Sequence, residues 1–232
     1  MRGILIVLFF YSWSSIAQNL FFIENKGQWN IPFESKIDIA NGALFLEENA
    51  LTFNFVDASS FTHQHEAKPQ NDSLSGHAYR WEFLKANTPV ISYSKPLEGK
   101  HNYFTNRQRV SNLKKYQKVT YKDLYDGIDY TIYTYGDGLK YDWIVHPNAK
   151  PSDIKMKLEG VDQIDLREGR LHLHTSLNLI TEERPYAYQW IDNKKVDGMI
   201  ASIKEVISLE DPEGKLLSTY KHPNGMLVQN KV

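Results

Sequence analysis

The chain has 232 residues with 27 Lys and Arg against 28 Asp and Glu, so its net charge of −1 offers no general attraction for nucleic acid or an anionic membrane. Hydrophobic residues at 41% and aromatics at 13% are enough for a sizeable core, and the 14 Tyr and 5 Trp favour strands. The absence of cysteine excludes disulfide stapling, thiol catalysis and zinc–thiolate sites, which leaves burial to supply the stability.

Met1–Ala17 has the pattern of a secretory signal peptide: Arg2 as a positive start, the apolar run Ile4–Tyr11, and small residues ending at Ala17 before Gln18. That run is well short of the ~20 residues a spanning helix needs. Export with cleavage after Ala17 is therefore expected, and no later segment approaches spanning length. Leu20–Ile23 is a short apolar run, and Asn25-Lys26-Gly27 reads as a turn that sets Trp29 back against the body of the domain. Ala43–Glu47 and Leu51–Val56 form a hairpin with Leu51, Phe53 and Phe55 on one face. Residues 57–76 are polar and without periodicity, a long surface loop. His77–Phe83 alternates again, with Tyr79, Trp81 and Phe83 together, and Val90–Ser94 is another short strand. Between Lys95 and Tyr116 the pattern is less regular. Asn102-Tyr103-Phe104 reads as an aromatic turn, and Val110 with Leu113 as one helical turn.

The stretch from Tyr121 to Ile154 is the most ordered in pattern. Ile128–Tyr135 and Leu139–Val145 both alternate with period two around Gly136-Asp137-Gly138, which predicts a tight hairpin. Leu139, Tyr141, Trp143 and Val145 share one face, and Lys140, Asp142, Ile144 and His146 the other. Pro147 and Pro151 bracket a turn that cannot continue a ladder. Short strands follow at Ile154–Leu158, Gln163–Leu166, Leu171–Thr175, Leu177–Thr181, Tyr186–Ile191 and Ser202–Ser208, and the tail becomes polar. Many short strands with frequent turn signals predict an all-β antiparallel sandwich, or two packed β lobes, over 18–208, with a divergent or truncated tail over 209–232.

The motifs ENKGQW, NYF and YKDLYDGIDYTIY…GLKYDWIVHPNAKPSDIKMKLEG, with EERPYAYQ at Glu182–Gln189, resemble one family. It is the N-terminal domain of unknown function of large secreted bacterial proteins that carry SBBP (seven-bladed β-propeller type) repeats. The resemblance runs from about Ile23 to Ile191. It implies an exported, adhesin-like surface protein of gliding-type Gram-negative bacteria, a class that often ends in a type IX secretion sorting domain. It implies no activity, so no catalytic residue carries over. Asn148 stands where the family turn usually has Gly, and beyond about Ser208 the pattern is no longer followed.

Asp123, Asp126, Asp129 and Asp142, with Asp153 beyond, are the acids that suit paired-carboxylate glycoside hydrolysis or calcium. Their spacing is no EF-hand loop, and Asp126 and Asp129 suit turns fixed by bonds to nearby backbone N–H groups. His172 and His174 share a strand face, but Glu168 and Glu182 are read as loop residues and supply no third ligand; His63 and His65 lie in the polar loop. No G-x-S-x-G, H-E-x-x-H or phosphate loop is present. Tyr130, Tyr133, Tyr135, Tyr141 and Trp143 are candidates for a carbohydrate platform, weighed against burial as cross-strand pairs. Arg107, Arg109, Lys114, Lys115 and Lys118, interleaved with Tyr116 and Tyr121, read as a solvated face.

The expectation is a non-catalytic extracellular module acting in adhesion, assembly or scaffolding, with no cofactor and no metal site. A carbohydrate-binding module is the alternative, and a glycosidase-type enzyme the third reading. Trp29, Asp126, Gly127, Asp129, Tyr141, Asp142, Trp143, Pro147 and Pro151 are expected to be structural keystones. The expected partners are further domains of a longer chain, surface glycans or surface proteins. Nucleic acid is not among them, and after signal removal no transmembrane segment remains.

Overall fold

Period-two alternation of aromatic and β-branched residues suits strands that bury one face, and strands make up most of the described residues. The computed structural model describes residues 20–57, 75–104, 109–191, 194–198, 208–210 and 227–231. The expected signal sequence, most of the expected 57–76 loop with His63 and His65, Arg107, and most of the expected 202–208 strand lie outside them.

In chain order the strands are β1 (Phe22–Glu24), β2 (Ser35–Ile39), β3 (Gly42–Leu46), β4 (Ala50–Val56), β5 (Gly76–Phe83), β6 (Val90–Phe104), β7 (Arg109–Tyr125), β8 (Ile128–Tyr135) and β9 (Gly138–Val145). A 3-10 turn at Pro151–Asp153 leads to β10 (Lys155–Glu159), β11 (Gln163–Arg167), β12 (Arg170–His174), β13 (Leu179–Glu182), β14 (Tyr186–Ile191), β15 (Lys194–Gly198), β16 (Ser208–Glu210) and β17 (Leu227–Lys231). One 14-stranded sheet runs β15-β14-β17-β9-β8-β7-β1-β2-β3-β4-β5-β10-β16, with β6 added on β7, and β11-β12-β13 form a second sheet. The pairs are antiparallel except β10 with β16.

The large sheet curls so that its two halves face each other, and this gives the sandwich-like core from one sheet. Along β7, β8 and β9 the inward rows are Tyr121, Tyr130 and Trp143, then Val119, Ile132 and Tyr141. From the other half come Leu51, Phe53, Tyr79, Trp81 and Phe83. Phe83 spans the core, its ring 5.2 Å from Tyr130 and 5.8 Å edge-on to Trp143. Tyr121 donates its hydroxyl to the Glu47 carbonyl at 2.8 Å, and Tyr125 donates to the Lys155 carbonyl at 2.7 Å. Each hydroxyl thereby ties one half to the other while its ring stays buried.

The 95–116 segment departs from expectation. It is neither an aromatic turn nor a helical turn but a long ribbon of β6 and β7, 15 and 17 residues. Positive φ at Lys95, Gly99 and Asn112, with register shifts beyond Leu97, interrupts the alternation that would have marked these strands. β2 was not anticipated either. Leu227–Lys231, in the stretch read as a polar tail, runs between β14 and β9.

Candidate functional site

The central hairpin turns on Gly136 (φ +62) and Asp137, with Tyr135 opposite Gly138, one residue tighter than the expected three-residue connection. Its inner face is fully used. Trp143 is 1% exposed, with rings of Tyr130, Phe83 and Tyr125 within 6.0 Å, and Tyr130, Tyr141, Leu139 and Val145 are buried beside it. Three of the five platform candidates, Tyr130, Tyr141 and Trp143, are therefore core side chains. Burial pushes the phenols of Tyr130, Tyr121 and Tyr79 well above their ordinary pKa, with Glu182 adding to the shift at Tyr79 and Tyr130. Glu182 is not a loop residue: it sits in β13, 1% exposed, and accepts the Tyr141 hydroxyl at 2.7 Å. The void these residues line, with Leu51, Phe53, Trp81 and Met156, is about 10 Å³. That is about one water's worth of space, too small for a substrate.

At the end of the hairpin the acids are drawn into the backbone. Asp129, 9% exposed, accepts the Asp123 N–H at 2.8 Å through Oδ1 and meets His146 Nε2 at 3.0 Å through Oδ2. The Asp123 backbone is held at φ +54, so the bond stabilises a conformation that costs strain. Asp126 differs from expectation: its carboxylate takes the Asn87 side-chain amide at 3.0 Å rather than a backbone N–H. Gly127 has φ +66 and an added Cβ there would stand 3.1 Å from that of Ala149; the His146 N–H donates to its carbonyl at 2.9 Å. Asn148 takes φ +71, the left-handed position where Asn substitutes for Gly. Pro147 is exposed and Pro151 is buried at the start of the 3-10 turn. Beside this corner an open cleft of about 220 Å³ is lined by Lys85, Asn87, Tyr125, Asp126, Asp153 and Lys155. Its mixed charges suit a small polar molecule, yet Asp129 and His146 do not line it.

The hairpin's outer face carries what the core does not use. Asp142, 8% exposed, accepts the Tyr133 hydroxyl at 3.2 Å, and burial together with that carboxylate pushes the Tyr133 phenol up. Lys118, Tyr133 and Lys140 stand in one cross-strand row, and Lys140 Nζ lies 3.7 Å from the centre of the 55%-exposed Tyr135 ring. Of the platform candidates, Tyr133 and Tyr135 therefore remain at the surface.

Trp29 is held by a loop that Asn25 and Gln28 brace. Asn25 Oδ1 accepts the Gly27 N–H at 3.1 Å, and its amide donates to the carbonyls of Ile31 and Phe33. Buried Gln28 donates to the Glu24 carbonyl at 2.6 Å. Trp29 then packs on Phe33 and Tyr103, each 5.3 Å away.

His174 Nε2 meets Asp165 Oδ2 at 2.9 Å, and His172 Nδ1 meets Thr181 Oγ1 at 3.1 Å, so the two histidines are turned to different partners. Among the described residues no three His, Asp or Glu side chains gather as a metal-binding group. A serine–histidine pair that sequence reasoning missed lies at the β12–β13 turn: His77 Nδ1 is 2.9 Å from Ser176 Oγ, with Nε2 on the Gly160 carbonyl at 2.6 Å. The Leu177 and Asn178 N–H groups, which would have to stabilise an oxyanion, both donate to Thr175 Oγ1. The pair thus pins the small sheet to the large one. His146 was legible, since Asp129 pairs with Ile144 and His146 follows two residues on, on the same face. Ser176 and His77, 99 residues apart, carried no such signal.

Residues 22–202 match the model of a family described as a domain of unknown function (DUF7948). A 36-residue stretch is 42% identical to gamma-glutamyl phosphate reductase of Desulforamulus reducens, covering 16% of this chain and 9% of that protein. No solved structure gives a significant match.

Proposed function

The chain belongs to the DUF7948 family of domains of unknown function, and from that premise we propose that it is a non-catalytic extracellular β module of a secreted or cell-surface protein, serving adhesion, assembly or scaffolding. The observation that carries this reading is the fate of the central block. Its aromatics, Tyr130, Tyr141 and Trp143, fill the core, and Asp129 and Asp142 are held by hydrogen bonds within the domain. Side chains committed to packing and turn geometry leave the surface to act through contact. The signal-like Met1–Ala17 supports export, and the likeness to the first domain of SBBP repeat proteins supports a surface protein of gliding-type Gram-negative bacteria, delivered by type IX secretion. Further domains, surface glycans or surface proteins are the partners such a module meets. No helix among the described residues is long and apolar enough to cross a membrane.

N-terminal sequencing of the chain recovered outside the cytoplasm should begin at Gln18. Intact Met1 confined to the cytoplasmic fraction would contradict export. Hydrolysis of aryl glycosides that disappears in Asp129→Asn would contradict the non-catalytic reading.

A carbohydrate-binding role draws support from Tyr135, open to solvent beneath Lys140, with Tyr133 on the same strand.

A further inference from the structure

Charge is segregated along this chain. Residues 90–125 hold eight Lys or Arg and two acidic residues, a net +6, which leaves the remainder at −7 for the overall −1. Its described residues form one object, the β6–β7 ribbon, paired from Val90 opposite Lys122 to Phe104 opposite Arg109. β8 covers only the Lys118–Tyr125 end of β7, β1 touches only Lys115 and Tyr116, and β6 pairs with no other strand among the described residues. At about 3.4 Å per residue the 15 residues of β6 extend about 50 Å.

Elsewhere among the described residues six cations are paired within the domain, while Lys85, Lys140, Lys150 and Lys155 are not. Lys26, Lys36, Arg80, Lys157, Arg167 and Arg170 each have a carboxylate within ion-pair distance. Lys95, Lys100, Arg109, Lys114, Lys118 and Lys122 have none among the described residues. Lys114, Lys118 and Lys122 recur every four residues on β7, about 13 Å apart along an extended strand. That interval exceeds the screening length of about 8 Å in physiological salt, so the row favours an extended anion that brings a charge to each lysine in turn.

We propose that the β6–β7 ribbon is a binding surface for an acidic polysaccharide, with Lys114, Lys118 and Lys122 as its charged row. The shape selects a linear polyanion over a membrane. The exposed apolar side chains, Val90 at 69% and Phe104 at 64%, sit at opposite ends of β6, so no contiguous apolar face exists to enter a bilayer. Aromatics adjoin the row instead: Tyr133 lies opposite Lys118, and Lys140 and Tyr135 continue the strip onto the neighbouring strands. Carboxylates on the sugar chain meet the lysines, and sugar rings meet the tyrosine faces. The proposal rests on the reading of the chain as an exported contact module, where such polymers are met, but it is measured on purified protein wherever the chain resides.

The test is elution of the full chain from immobilised polygalacturonate in a salt gradient, with neutral dextran, anionic phosphatidylglycerol vesicles and single-stranded DNA as parallel probes. Wild type should be retained on polygalacturonate and pass through dextran. Lys114→Gln/Lys118→Gln/Lys122→Gln should bind about tenfold or more weakly at low salt, as expected for losing several ionic contacts, with an unchanged circular dichroism spectrum and melt. Lys85→Gln/Lys150→Gln/Lys155→Gln removes the same charge elsewhere and should elute with wild type. The proposal fails if wild type is not retained, if both triple variants shift equally, or if vesicles or DNA bind while polygalacturonate does not. Such a failure would leave the N-terminal processing result, and with it the reading as an exported module, untouched.

Discussion

The β8–β9 hairpin and the outer part of the β6–β7 ribbon are both pairs of antiparallel strands, and they spend their side chains in opposite ways. On the hairpin, Tyr130, Ile132, Leu139, Tyr141, Trp143 and Val145 are all buried. Beyond Lys115 the ribbon buries Leu113, while Arg109, Lys114, Lys100 and Phe104 face solvent. The difference is what lies across from each. The curled sheet brings Phe83 and Met156 over the hairpin, whereas among the described residues the N-terminal segment reaches the ribbon's outer part through Phe21 on His101 and Trp29 on Tyr103. A strand pair becomes a structural centre when a second layer covers it, and a contact surface when none does.

Breaking the covered half should cost most. Trp143→Ala removes a side chain that is 1% exposed and leaves a cavity in a packed core, an expected loss of about 3–5 kcal/mol. Against a total of about 5–15 kcal/mol, that lowers the melting midpoint sharply or abolishes soluble expression. Urea unfolding reads the loss directly.

Alkali attacks the same region. Burial raises the folded-state pKa of Tyr79, Tyr121 and Tyr130, so the unfolded chain releases these protons first. Their contribution is complete below the unfolded phenol pKa of about 10 and falls as pH rises past it, by about 1.4 kcal/mol per pH unit for each phenol. Tyrosinate absorbance for this group should appear together with unfolding; ionisation near pH ~10 with the fold intact would show these rings to be solvated.

At the hairpin corner the effects shrink. Asp129→Ala leaves the Asp123 N–H and His146 without their acceptor and should cost about 1–3 kcal/mol. Asp126→Ala breaks only a bond to Asn87 at an exposed position and should stay under about 1 kcal/mol. Thermal melts of the two side by side test the ranking. Along β7, Lys114→Gln/Lys118→Gln/Lys122→Gln should change stability by no more than about 0.5 kcal/mol per site, because none of the three makes an ion pair among the described residues.

The hairpin was legible because both strands keep strict alternation around a glycine turn, so reading Leu139, Tyr141, Trp143 and Val145 as one face required only period two. The ribbon was not, because left-handed residues at Lys95, Gly99 and Asn112 shift the phase within it. Asn148 and the Asn25 turn were legible from local chemistry alone. Glu182 was not, since a carboxylate between two turns gives no sign that Tyr141, 41 residues earlier, will meet it inside the core. The acids of the central block advertised their residue type but not their partners. Asp129 found a backbone N–H and a histidine, and Asp126 found Asn87 on the connection between β5 and β6.

The central claim is that the hairpin holds the fold together while the ribbon's outer part is free to make contacts. Native-state hydrogen exchange tests this most directly, because it reads local opening strand by strand. The amides of Tyr130–Thr134 and Leu139–Val145 should exchange only through global unfolding, slowest in the molecule. Those of His101–Phe104 and Arg109–Leu113 should exchange orders of magnitude faster, through local opening. Equal protection in both regions, or a hairpin that exchanges before the ribbon, would contradict the account.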